Sequence, residues 1–162
     1  MVEYPDNEML QEYARRTRKN MDYVVASKVS YDRDVYEITQ IINSLLGLVV
    51  FQYEDFNELI DDTPLAGLDP RIWPECVRNF GPEGFSLRDF LFCFRNALAH
   101  SDIELIGNSG VIAGVKFGLN NCWKLPADPW YISLTGNELR QFVESLSDVL
   151  SSISDDTNFR VR

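Results

Sequence analysis

From about Asp34 to Leu59, Val35, Ile38, Ile41, Ile42, Leu45, Leu46, Leu48, Val49 and Phe56 recur at helical spacing. The middle of this stretch is apolar nearly all round, and a helix without a polar face must be covered on several sides. The spacing therefore predicts a central helix with other elements packed around it. Its longest unbroken apolar run, Leu45 to Phe51, is far shorter than a membrane crossing needs. At 162 residues and 45% hydrophobic, the chain is long enough for one compact domain and too short for two ordinary ones. The expectation is a single domain over residues 1–162.

The flanking pattern is mainly helical. Asn7 is a good N-cap for a first helix to about Ser27, with Met9, Leu10, Tyr13, Met21, Val24 and Val25 as its apolar set. Residues 61–83 are rich in Pro and Gly and read as loop, with a short helix at about Ile72 to Asn79. Ser86 then caps a further helix, and Asp89 completes a capping box in which Asp stands for the more usual Glu. That helix should reach at least His100. Beyond it the hydrophobic period drops from about 3.6 to 2. Ile103 to Ile106 and Val111 to Phe117 read as a hairpin around a Gly/Asn turn, and Trp130 to Leu134 as a third strand. Thr135 and Glu138 form another capping box, opening a last helix with the stripe Leu139, Phe142, Val143, Leu146, Val149, Leu150 and Ile153. The fold class is thus mainly α: a bundle of four to five helices, with a β insertion at about 103–134 and a frayed tail at about 155–162.

Charge and cysteines narrow the function. A net charge of −10 opposes broad binding to phosphate backbones, which draws its affinity from Lys and Arg. Any contact with RNA must be local. The one dense basic cluster, Arg15, Arg16, Arg18 and Lys19, is better explained as a solvated helix face than as an RNA contact, although arginine's planar fork suits phosphate. Cys76, Cys93 and Cys122 are widely spaced, contain no CxxC pair and stand beside a single histidine, which offers no zinc site. They read as reduced, buried thiols, with no metal and no cofactor. The acidic N-terminus is unlike a signal peptide, so a cytoplasmic location without a membrane partner is expected.

The residues with most chemical content are Arg95-Asn96-Ala97-Leu98-Ala99-His100, which hold the only histidine of the chain. With Arg95 at zero on a wheel of about 100° per residue, Phe90, Leu91, Phe94, Ala97 and Leu98 fall between roughly 200° and 320° and form a core face. Arg95, Asn96 and His100 share the other side. Ala99 leaves room between them, while Phe92 and Cys93 make this face too apolar for plain solvent, so a second surface should cover part of it.

An arginine followed by a polar residue, then three residues and a histidine, on a helix of an all-α bundle with a hairpin insertion after it, resembles the HEPN superfamily. The run Phe94 to His100 is especially similar to the small stand-alone prokaryotic members. The resemblance is detailed over about Ser86 to Phe117. It implies a metal-independent ribonuclease in which Arg95 and His100 take the catalytic positions and Asn96 the polar position beside the arginine. It also implies a homodimer whose two motifs build one RNA-cleaving site. Toxin or phage-defence roles, and a restraining antitoxin, are implied by the resemblance alone.

The chemistry suits the residues independently. Attack by the RNA's own 2′-hydroxyl needs a proton-transfer group that titrates near neutrality, as histidine does, and a fixed cation for the charge that builds on phosphorus. It needs no metal and leaves a 2′,3′-cyclic phosphate. One histidine per chain is too few for a paired acid and base, and a dimer would supply the second. Other assignments stay open at this point: a non-catalytic module that binds RNA or nucleotide through Arg95 and Asn96, and a helical adaptor in which His100 answers the helix dipole and Arg95 pairs with Asp89 or Asp102.

Overall fold

The computed structural model describes residues 6–30, 37–51, 53, 57–108, 111–120, 122–126 and 129–153. Among them are five α-helices: α1 (Asp6–Ser30), α2 (Glu37–Leu45), α3 (Glu75–Arg78), α4 (Leu87–Ala99) and α5 (Gly136–Ile153). Strands β1 (Ile103–Asn108), β2 (Val111–Gly118) and β3 (Tyr131–Thr135) make one antiparallel sheet in the order β1-β2-β3. The protein is mainly helical with a small sheet before its last helix. The hairpin turn at residues 109–110, the tail at 155–162, and the side chains of Met9, Leu10, Val25, Val35, Phe56 and Ile153 lie outside the described residues.

The chain divides into two compact units, Met1–Leu59 with Val143–Arg162, and Ile60–Phe142. In the first unit α1 begins at Asp6, so Asn7 lies inside the helix rather than capping it. The expected central helix is not one regular α-helix. After Leu45 it continues as a π-helical segment, Leu46–Phe51, and a turn occupies residues 57–59. The change of pitch falls at Leu46, beside Gly47, against which the Tyr13 ring of α1 lies so closely that a Cβ would collide with it. A π turn inserts a residue and rotates the face that follows. Here that change lets a stretch apolar all round bury Leu45, Gly47, Leu48 and Val49 in succession. The basic cluster of α1 is engaged internally: Arg15 and Arg16 both donate to Glu12, at 2.6 and 2.7 Å, and Arg18 pairs with Asp148.

The second unit is built on aromatic packing. Phe90, Phe94, Phe117 and Phe142 are all completely buried. Phe94 lies 4.6 Å from Phe117 of β2, 5.2 Å from Phe142 of α5 and 5.5 Å from Phe90, ring centre to ring centre. Phe80 extends the cluster to Phe90 and Trp130, at 5.5 and 5.7 Å. Strand alternation supplies the rest, since Ile132 and Leu134 of β3 point inward while Tyr131, Ser133 and Thr135 point out. One face of α4 is thereby held against the sheet. Aromatic truncation at such a position removes both transfer energy and packing, so Phe94→Ala should destabilise the protein by about 3–5 kcal/mol, measured by urea denaturation.

Candidate functional site

Helix α4 carries the Arg95 to His100 motif, and its start is held from three directions. The Ser86 hydroxyl accepts from the Asp89 amide at 3.1 Å and Asp89 accepts from the Ser86 amide at 3.3 Å, which completes the expected capping box. Residues on either side of Pro64 pair with the entry to the helix: Leu65 N–H donates to Phe85 O and Leu87 N–H to Thr63 O, both at 2.9 Å. At the second residue of the helix, the Arg88 guanidinium clasps the Ile60 carbonyl oxygen and donates to Asp62 at 3.1 Å. The register of α4, and hence the direction of every motif side chain, is set by these contacts.

The wheel places the core face as found. Phe90, Leu91, Phe94, Ala97 and Leu98 are buried, Arg95 and Asn96 are half-buried, and Ala99 and His100 are exposed. Arg95 Nη1 donates to Asn96 Oδ1 at 3.2 Å, which holds the amide and the guanidinium together at the surface of the helix. His100 lies one turn on. It is the C-cap rather than the last helical residue, a shift of one position from the sequence expectation. Its amide donates back to Asn96 O at 3.0 Å.

The turn that follows fixes this cap. Ser101 N–H donates to Leu98 O at 3.2 Å and Asp102 N–H to Ala97 O at 2.9 Å, the paired bonds of a Schellman motif. Ser101 takes a φ of 56°, the left-handed conformation that this motif usually gives to glycine. Asp102 then passes the chain to the sheet, accepting from Gly118 N–H at 2.9 Å while its carboxylate lies against Gly118. The imidazole-bearing residue is thus clamped between a helix end and the start of β1.

The cover expected over Phe92 and Cys93 comes from the same chain. Between β2 and β3, Leu119 and Trp130 close a loop through Leu119 N–H to Trp130 O at 2.8 Å, and the segment Cys122 to Leu125 turns across α4. Cys93 and Cys122 are joined as a disulfide with their Cα atoms 5.0 Å apart, so the reading of all three cysteines as reduced thiols is corrected for this pair. Next to the disulfide, the Trp123 ring packs on Phe92 at 6.2 Å, nearly perpendicular to it, and Lys124 reaches Asp89. Hydrophobic patterning marks this part of the motif face as needing cover, but Cys122, Trp123 and Lys124, which supply it, lie about thirty residues away in an irregular loop that no local spacing points to.

Two further groups are accounted for. Burial first, then the Glu138 carboxylate, pushes the remaining thiol of Cys76 up to about 11, which makes it a poor nucleophile. The Asp89 carboxyl, which burial alone would raise, is held below its ordinary value by Lys124 and by the cap at Ser86. Among the described residues, no three His, Cys, Asp or Glu side chains gather as a metal cage would require, and no helix is long and apolar enough to cross a membrane.

A mainly helical chain with this motif at the end of α4 and a small sheet after it has the features of a HEPN protein. It matches the family model described as HEPN pEK499 p136 over residues 1–157, and the chain belongs to that family. No curated protein and no solved structure gives a significant match.

Two outcomes follow from the geometry. Relieving the left-handed serine with Ser101→Gly should stabilise the protein by about 1 kcal/mol, read as a raised urea midpoint. Because Asp89 is lowered in the folded state, its contribution is complete above the unfolded carboxyl range and is lost as pH falls through the folded value. The thermal midpoint should therefore fall as the pH is taken below about 5, and Asp89→Asn should make that drop shallower.

Proposed function

We propose that the protein is a metal-independent endoribonuclease whose site is completed by a second copy of the chain. The observation that carries this reading is the arrangement at the end of α4: Arg95 hydrogen-bonded to Asn96, with His100 exposed one turn further on. Membership of the HEPN family supports it. We take residues 1–162 as one domain of that family, with its helices as a bundle and the sheet as an insertion.

The chemistry then runs through these three residues. His100 of one protomer takes the proton of a ribose 2′-hydroxyl as the oxygen attacks the adjacent phosphorus. Charge accumulates on the phosphoryl oxygens, where Arg95 stabilises it and Asn96 donates a hydrogen bond. The bond from phosphorus to the 5′-oxygen breaks, and the histidine of the second protomer gives that oxygen a proton. The products are a 2′,3′-cyclic phosphate and a 5′-hydroxyl, and no water enters this step. A twofold dimer presents the same patch from both sides, which matches a requirement for two histidines in a chain that has one. A cytoplasmic toxin or phage-defence effector, restrained by an antitoxin or another regulatory partner, is the biological setting that the family suggests.

Purified protein incubated with RNA in the presence of EDTA tests the reading. Wild type should leave 2′,3′-cyclic phosphate ends, and His100→Ala should slow cleavage by roughly 10²- to 10⁴-fold. Arg95→Ala should slow it by roughly 10²- to 10³-fold. Neither variant should lose its fold or its dimer. Intact RNA after incubation with a folded, dimeric wild-type protein would refute nuclease activity.

A further inference from the structure

Trp123 is 79% exposed, the most exposed large apolar side chain among the described residues. Exposure alone means little, since single apolar residues on a surface are ordinary. What sets this one apart is that it is held in place. The residue before it is cross-linked to α4 through Cys93, and the Trp123 ring rests on Phe92. The residue after it, Lys124, lies 5.3 Å from the centre of the Trp123 ring while reaching Asp89. The turn is closed by Leu125 N–H donating to Cys122 O at 3.1 Å. Three successive residues of the loop are therefore fastened to α4, yet the indole is left mostly in solvent.

The place of attachment gives this a meaning. Phe92 precedes Arg95 by three residues and Asn96 by four, and such residues are neighbours on a helix surface. Phe92, on which the Trp123 ring rests, thus lies about one helical turn towards the start of α4 from Arg95 and Asn96. His100 lies at the other end of the same arc. A strand whose phosphate sits at Arg95 would carry its neighbouring base to the indole.

We propose that Trp123 is a stacking platform for an unpaired base of single-stranded RNA, next to the phosphate that is cleaved, with Lys124 as a positioning residue for the ring. The proposal rests on the ribonuclease reading of the Arg95 to His100 motif. A fixed indole loses little conformational freedom when a base stacks on it, and stacking accepts any base because every base has an aromatic face. The platform would therefore set the position of the substrate strand and its single-strandedness, rather than its sequence. It also answers how a chain of net charge −10 holds RNA: part of the affinity comes from stacking, which needs no extended basic surface.

The test uses the full-length dimer carrying His100→Ala, so that RNA is bound without being cut, and a short fluorescein-labelled single-stranded RNA as probe. Adding Trp123→Ala should raise Kd roughly 5- to 150-fold, and Trp123→Phe should recover most of the loss. An abasic site at one position of the probe should weaken binding to the parent by a similar factor and have little further effect on Trp123→Ala. Should Trp123→Ala bind as its parent does while Arg95→Ala loses the probe, the platform is wrong and the nuclease site stands. Conversion of the dimer to a monomer by Trp123→Ala, seen by sedimentation, would make the indole a contact between copies and overturn the platform. RNA neither bound by the His100→Ala protein nor cut by wild type would remove the ribonuclease reading itself.

Discussion

The orientation of α4 rests on the packing of Phe94 among Phe90, Phe117 and Phe142. These rings join a helix to itself, to β2 and to the first turns of α5, all without exposure to solvent. A ring held on three sides leaves the helix little freedom to roll, and in a helix a roll of one residue is about 100°. Arg95 and Asn96 follow Phe94 directly in the chain, so their outward direction is the complement of its inward one. Clasps at Ile60, Thr63 and Ser86 then prevent sliding along the axis. The site is rigid because its neighbours in sequence are core.

The opposite edge of α4 is fastened differently. Where the core face is held by burial, Phe92, Cys93 and Asp89 are met by single residues of a loop: an indole, a disulfide sulfur and an ammonium. Each contact alone is modest, and their arrangement at Trp123, Cys122 and Lys124 in succession makes them cooperative, since fixing one residue brings the next within reach. A disulfide adds a constraint on the unfolded chain, closing a separation of 29 residues. The helix is thus gripped along its core face and over the first half of the opposite face, and the last turns of that opposite face, with Arg95, Asn96 and His100, are what remains at the surface.

Periodicity made most of this legible. The change of period after His100, the two capping boxes and the stripe of Phe90, Phe94 and Leu98 are local signals, each confined to a turn or two of chain, and each appears where the sequence places it. What escaped was nonlocal. No spacing rule pairs Cys93 with Cys122, because cysteine connectivity depends on how the loop returns over the helix. The π-helical turn after Leu45 holds Gly47 against Tyr13, a contact across more than thirty residues that no local pattern announces. His100 moved from helix to cap because Ser101 adopts a left-handed turn with no glycine to announce it.

The acidic character of the chain and an RNA-directed site are compatible only if cations are disposed unevenly. Arg15 and Arg16 share Glu12, Arg18 pairs with Asp148, Arg71 with Asp69, and Lys116 with Glu104. The dense cluster that looks most like a phosphate-binding surface is therefore a set of internal pairs, worth little to a polyanion at ordinary ionic strength. On α4, Arg95 donates to the amide oxygen of Asn96. A chain of net charge −10 disfavours long lateral contacts with a polyanion, and in the proposed reading RNA is engaged locally. Aromatic contact at that point gains in relative importance as the electrostatic share shrinks. In the proposed reading, the negative charge of the protein is therefore part of its selectivity, because it leaves the hold on RNA to the α4 motif and the exposed indole rather than to an extended basic surface.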